Sequence, residues 1–363
     1  MAVQVGSGYK HAMRVHPLVT LLALAVTACH STGRAVVEHA QPRLAASSQP
    51  VCPGGIDATF VQIQANELEF GRKEWTAALG QLRSIGIATI VLQYSGDERG
   101  PFDGRASRRK PVESLLSAAD AYGMGVYLGL YFEPSWPETF DVSTASAPPL
   151  DDPAASAWLA GLCRTHRACV GFYIPEEIDD RTWGHRNNPD ELRHFLERSA
   201  AKLRELLPAR PIAAAPFYTG HLSPQEHAAF WSALLQNRPL DALMLQDGLG
   251  VGRATIETAS AALSALGPAL DSVNVELWTV LELFHQLHGP PHDDLPFAAE
   301  SGAFPNILAA LSEERRYVRK TAAFAVLNYM NTDGDAGART LHAQYRQWCE
   351  TQRSWQAVSR TGR

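Results

Sequence analysis

Val170-Gly171-Phe172-Tyr173-Ile174-Pro175-Glu176-Glu177-Ile178-Asp179-Asp180 starts as a strand and ends in acid. Successive side chains of a strand point to opposite faces, so Phe172 and Ile174 share an apolar face. Gly171, Tyr173 and, if Pro175 keeps the alternation, Glu177 share the other. A small residue, a hydroxyl and a carboxylate on one face suit the inside and mouth of a parallel barrel, whose C-terminal strand ends carry the chemistry. The competing role for such an acid is a strand-end charge or a helix N-cap.

Outward from this stretch one rhythm repeats from Ala58: a short apolar run, then a helical period. The pattern predicts strands at Thr59–Gln64, Ala88–Ser95, Gly125–Phe132, Val170–Glu176, Ile212–Phe217, Ala242–Gln246, Val275–Leu281 and Ala322–Met330. The intervening helices are expected at Lys73–Ile85, Val112–Tyr122, Ala154–His166, Pro189–Leu207, Pro224–Gln236, Ala254–Leu266, Asn306–Arg316 and Gly337–Gln352. Such alternation argues for a parallel sheet, and eight units argue for its closure. The expected fold is α/β, a single (β/α)8 TIM barrel over 58–353 with a tail at 354–363. Gly86 and Gly123 stand just past the first two helices, where a left-handed cap is needed. The helix-to-strand turns are short, whereas Gly96–Pro111, Glu133–Pro153, Asp179–Asn188 and Phe284–Pro305 are long strand-to-helix loops on one face. Long loops gathered at the C-terminal end of a barrel mark the functional face.

The chain has 363 residues, a formal net charge of −6 and no extended basic block, which argues against nucleic acid. Residues 1–28 read as a targeting segment: Lys10 and Arg14, then an apolar core from Pro17 to Ala28 too short for a comfortable membrane span. Met13 is an alternative start. Val26-Thr27-Ala28-Cys29 resembles a bacterial lipobox, which implies cleavage before Cys29 and lipid attachment to its sulfur. Residues 29–57 then form a lipidated Cys and an Ala/Ser/Gln/Pro-rich tether. The expected location is the cell envelope, with a lipid anchor in the membrane. Four further cysteines permit bridges in an oxidising compartment, Cys163 with Cys169 and Cys52 with Cys349.

Alternation along the other strands brings Gln62, Gln64, Gln93, Tyr131, Glu133, Gln246, Asp247, Glu276, Trp278, Glu282, Asn328 and Tyr329 toward the barrel interior or mouth. Amides, tyrosines and carboxylates match sugar hydroxyls, and aromatic faces stack on pyranose rings. Trp136, Phe140 and Trp183 in the loops, with Trp278 inside, are candidates for such stacking. Glycoside cleavage commonly uses two carboxyl groups, one protonated and one ionised. Glu177 and Glu282, at the ends of strands four and seven, are the candidate catalytic pair. Glu176, Glu276, Glu133, Asp247 and Asp179 compete for either role, while Tyr173 and Glu176 join the expected substrate-binding set.

Gly171-Phe172-Tyr173-Ile174-Pro175-Glu176-Glu177-Ile178-Asp179, Val91-Leu92-Gln93-Tyr94, Gly123-Met124-Gly125-Val126-Tyr127-Leu128-Gly129-Leu130, Leu245-Gln246-Asp247-Gly248-Leu249-Gly250 and Trp278…Glu282-Leu283-Phe284 occur in this order. Together they resemble the glycoside-hydrolase-like barrels catalogued as domain of unknown function 4434, from about Ala58 to Met330. The resemblance implies a (β/α)8 fold of the broad glycosidase superfamily, whose retaining members carry the acid/base at strand four and the nucleophile at strand seven. By position these are Glu177 and Glu282. The superfamily's acid/base usually follows an asparagine; here Glu177 follows Glu176. The expectation is a lipid-anchored glycoside hydrolase acting on a polysaccharide or glycan without a cofactor. The alternative is a noncatalytic carbohydrate-binding lipoprotein. His285, His288, His292, Asp293 and Asp294 raise a metal-dependent hydrolase, but they sit in a Gly/Pro loop, and strand one offers Gln62-Ile63-Gln64 rather than a His pair. No metal site is expected, and that loop reads as a solvated lid. A structural envelope protein is disfavoured by the loop asymmetry.

Overall fold

The computed structural model describes residues 51–361 except 65, 97–108, 143–149, 185–188 and 290–291. The expected targeting segment, Cys29 and most of the tether lie outside the described residues, as do parts of the four long loops. Ten strands are described: β1 Ala58–Val61, β2 Thr89–Leu92, β3 Gly125–Gly129, β4 Cys169–Ile174, β5 Ile212–Ala214, β6 Ala242–Gln246, β7 Glu276–Glu282, β8 Phe284–His288, β9 Ala298–Ser301 and β10 Lys320–Phe324. Eight of them close into a parallel ring in the order β1-β10-β7-β6-β5-β4-β3-β2, with helices between consecutive barrel strands. This is the expected (β/α)8 barrel. Closure occurs where Ala58 of β1 pairs with Ala322 of β10.

The strands are buried on both faces, as parallel strands covered by helices must be. Inside the ring, Phe60, Tyr127, Tyr173, Met244 and Trp278 fill the space. Phe60 meets Tyr173 edge to face at 5.4 Å, and Tyr127 meets Trp278 at 5.6 Å, geometries that add to simple area burial. Outside the ring, Leu, Ile and Trp side chains such as Trp75, Leu79 and Leu196 seal the helices onto the sheet. Local signals set the helix limits. Ser223 accepts the Glu226 N–H while the Glu226 carboxylate accepts the Ser223 N–H, a capping box that starts Pro224–Leu234. Gly86 and Gly123 adopt φ of +98° and +63° just beyond their helices.

Three expectations change. The eighth strand stops at Phe324 rather than Met330, because Val326–Tyr329 forms a helical turn. Its start is fixed by Thr59 Oγ1, which accepts the Val326 N–H at 3.0 Å; a short apolar run has no period to separate strand from helix. The expected tail from 354 belongs instead to the last helix, Ala336–Thr361. The loop after β7 is not structureless: β8 and β9 pair as an antiparallel hairpin, and Gln286 N–H bonds to Gly250 C=O at 2.8 Å.

Both expected cysteine pairs are disulfides. Cys52–Cys349 ties the segment before β1 to the last helix, and Cys163–Cys169 closes the turn before β4. Beside the first, Tyr345 Oη accepts the Ile56 N–H at 2.7 Å, holding the barrel seam from the same helix. Among the described residues no helix is long and apolar enough to cross a membrane.

Candidate active site

Glu282 is the last residue of β7 and Glu177 stands three residues beyond β4, so both lie at the C-terminal mouth. They are electrostatic neighbours: the Glu177 charge adds to the rise in the Glu282 pKa. Burial is the main cause of that rise, to about 7. The N–H groups of Val251 and Gly250 and the Arg253 guanidinium pull the other way. Val251 N–H reaches Glu282 Oε2 at 2.9 Å. The loop comes this close because residue 250 lacks a side chain: a Cβ there would lie 2.5 Å from Phe284 O and 2.8 Å from Glu282 Cβ. Around Glu177, Gln246 Nε2 approaches Oε1 at 3.5 Å while donating to Ala215 O at 3.0 Å. Trp136 Nε1 holds the Glu177 carbonyl at 2.7 Å.

Several other residues named as mouth candidates lie beside one another. Gln64 Nε2 donates to Gln62 Oε1 at 2.7 Å and Gln62 Nε2 donates to Gln93, so three amides from β1 and β2 form one chain along the rim. Tyr329 is near enough to Glu282 for that charge to help raise its pKa, though burial is the larger cause. Its ring packs on Phe284 at 5.1 Å. Tyr131 is half-buried just past β3, where its backbone bridges Gly96.

Several expected site residues do something else. Trp278 is wholly buried, its Nε1 bonded to Glu276 Oε2 at 3.0 Å and its ring 4.4 Å from Lys320 Nζ. Alternation correctly put it on the face of Glu282, but four residues earlier on the strand, about 13 Å below the mouth. Glu276, the exposed first residue of β7, lies at the opposite end of the strand from Glu282 and leaves the list of catalytic competitors. Tyr173 forms the floor under Glu177; burial, then Glu177 and Glu176, raise its pKa well above the usual tyrosine range. Glu176 is buried beside Tyr173. Asn328 is exposed on the helical turn that replaced the end of the eighth strand. The loop aromatics are core: Trp136 stacks on Trp183 and on Phe195, each at 6.1 Å, and meets Phe140 edge on. A wedge packed on all sides offers no face to a pyranose. Glu133 accepts from Ser135 N and Oγ, and Asp179 caps a helical turn through Thr182 N at 2.6 Å, so both have local structural work.

Asp247 is buried, not substrate-facing. Its Oδ1 accepts Leu249 N–H at 3.1 Å, and both oxygens lie 3.3 Å from the Glu282 N–H. Behind it, on the helix Phe304–Glu314, stands Glu314, which sequence reading missed. The signal was present: Ile307, Ala310, Leu311 and Glu314 recur at helical spacing, which puts a carboxyl on the buried stripe. Arg253 was also passed over, while Gly248 and Gly250 were noted only as part of the family resemblance. Among the described residues no three His, Cys, Asp or Glu side chains form a group able to hold a metal ion. The described part of the histidine loop is the β8–β9 hairpin, where His288 Nδ1 pairs with Asp293 Oδ2 at 2.9 Å.

The profile of the family described as Domain of unknown function (DUF4434) matches residues 56–336. The curated "Uncharacterized protein YbcH" of Escherichia coli K12 is 26% identical over 205 residues, 54% of this chain and 66% of YbcH, so the match spans just under two thirds of that relative. Among solved structures, a "putative alpha-L-fucosidase" from Bacteroides thetaiotaomicron is similar at a TM-score of 0.66 and 20% identity, covering 81% of this chain and 95% of that one. A beta-galactosidase from Marinomonas ef1 is similar at 0.53 and 10% identity, covering 85% of this chain and 60% of that one. At such identities the likeness is one of fold.

Proposed function

The chain belongs to the DUF4434 family, and from that premise we propose that it is an exported, lipid-anchored glycoside hydrolase acting on a polysaccharide or glycan. The observation that carries the reading is the meeting of two carboxyl side chains, from the ends of β4 and β7, at the mouth of a closed (β/α)8 barrel. The fold likeness to proteins named as a fucosidase and a galactosidase supports a sugar substrate, and so does the Gln64-Gln62-Gln93 amide chain. The targeting segment ending at Cys29 and two disulfides support export to an oxidising compartment and anchoring at a membrane.

In this mechanism Glu177 gives its proton to the glycosidic oxygen as that bond breaks, and ionised Glu282 bonds to the anomeric carbon. The leaving sugar departs as an alcohol. Glu177, now a carboxylate, takes a proton from water, whose oxygen displaces Glu282 and restores both groups. Val251 N–H and Arg253 stabilise Glu282 in the ionised form that attack requires. Burial is the first cause that holds Glu282 protonated up to about pH 7, so the ionised nucleophile gains population as pH passes through that value.

The test is hydrolysis of a polysaccharide panel by the full chain in detergent, beside Glu177→Gln and Glu282→Gln. Sugar release that both folded variants lose supports the reading. Variants as active as wild type remove this pair from the mechanism. A glycan bound alike by all three proteins and never cleaved replaces hydrolase with binding module.

A further inference from the structure

Three carboxyl groups meet behind the mouth, and only one of them belongs to the proposed catalytic pair. Glu314 is wholly buried on the helix Phe304–Glu314. Its Oε2 accepts the hydroxyl of Thr279, the residue of β7 that points outward between Leu277 and Leu281. Among the described residues its Oε1 has no hydrogen-bond partner. A carboxylate so enclosed, with one neutral hydroxyl for a donor, is strongly disfavoured as an anion. Asp247, at the end of β6, spans two strands: its N–H donates to Val280 O of β7 at 3.1 Å, and its carboxyl accepts from Leu249 and Glu282 N–H. Asp247 therefore anchors the base of the loop that carries Val251 to Glu282, and the backbone of Glu282 itself.

We propose that Asp247 and Glu314 form a buried pair of carboxylic acids that positions Glu282, Asp247 by clamping the loop donor against it and Glu314 by staying neutral behind β7. The pair leaves the single ionisation of this cluster to Glu282, the member that has the Arg253 cation beside it in addition to backbone N–H donors. In Asp247, Oδ1 accepts the Leu249 N–H while both oxygens share the Glu282 N–H, so the proton belongs on Oδ2, the oxygen with fewer donors. In Glu314 the proton sits on Oε1, the oxygen without a donor. Burial is the first cause that raises the pKa of all three groups, so no more than one charge is accommodated readily among them. The charged or titratable groups facing Glu282 are Glu177 beyond β4, Arg253 on the β6 loop, Asp247, Glu314 and Tyr329 after β10. Asp247 and Glu314 are positioning residues; neither is presented to a substrate.

The inference rests on Glu282 being the functional carboxyl of the mouth, but its test reads titration rather than turnover, so the two readings fail separately. The Glu282 midpoint is followed by carbon NMR of the full chain with carboxyl-labelled glutamate, the signal being assigned by its loss in Glu282→Gln. Neutral isosteres mimic the protonated acids, so Asp247→Asn and Glu314→Gln should leave the midpoint within about 0.3 units of wild type. Asp247→Ala frees the loop and withdraws the Val251 donor, so the midpoint should rise by about one unit. Were either acid ionised beside Glu282, its replacement by a neutral residue would lower the midpoint, and a fall in Asp247→Asn or Glu314→Gln overturns the proposal. If Asp247→Ala does not fold, the two isosteres still decide.

Discussion

Glu177 and Glu282 need only their places in the chain to be found, because a residue at the end of a barrel strand has one mouth to face. Their environments are another matter: Glu282 lies under a loop that can touch it only while residue 250 is glycine. Gly250→Ala puts a methyl against Phe284 O and Glu282 Cβ, so the loop must retreat. The expected result is a loss of about 1–3 kcal/mol by urea unfolding, with a higher Glu282 midpoint as the Val251 donor withdraws. Glu177→Gln removes the proposed proton donor and should lower kcat by roughly 10²–10⁴ while the fold, read by circular dichroism, is kept. Glu282→Gln should lower turnover at least as far. The same residue scale explains the errors at Trp278 and Asn328. Alternation gives a face but not a height along it, and it stops giving a face where the strand stops.

At the scale of elements, the loops after β3 and β4 are held by a wedge rather than opened by one. Trp136 stacks between Trp183 and Phe195, and its Nε1 pins the carbonyl of Glu177, so aromatic packing sets where the acid stands. The sequence showed tryptophans in functional loops; which way they faced depended on the helix Pro189–Leu206, which supplies Phe195. The two disulfides differ in reach. Cys52 and Cys349 are separated by 297 residues and Cys163 and Cys169 by 6. A longer closed loop removes more entropy from the unfolded chain, so removing the first with paired Cys→Ser changes should cost about 4–5 kcal/mol and removing the second about 2. Calorimetry of the two double variants measures the order, and equal losses would mean that chain entropy is not what these bridges limit.

For the whole molecule, buried titratable groups make stability depend on pH in opposing ways. Glu314 rises from 4.5 to about 7 in the fold. The native state then keeps a proton that the unfolded chain releases, so the stabilisation present below about pH 4.5 is lost as pH climbs through about 7. Glu314→Gln cannot ionise. Its stability relative to wild type should therefore increase over that window by up to about 1.4 kcal/mol per pH unit, read from urea unfolding at several pH values. His227, buried between Trp231 and Tyr218, is lowered to about 4, chiefly by burial against the pull of Asp180. There the unfolded chain takes the proton first, so stability is lost as pH falls from about 6.5 to about 4. His227→Gln should flatten that acid limb and leave the Glu314 slope untouched.

The eight-unit rhythm, the glycine stops, the loop asymmetry and the two strand-end glutamates are local patterns, and local patterns were enough for the barrel, the order of its elements and the face that carries the candidate site. They sufficed because strand alternation, helical period and capping each act within a few residues. What only tertiary structure decided are the relations between distant segments. Trp278 serves the barrel floor and Trp136 the core, the apolar run after Phe324 turns into a helix on the hydroxyl of Thr59, and Glu314 lies behind Glu282 on a different element. Burial and the approach of one charge to another depend on which segments pack together, and it is these that set the protonation of the site.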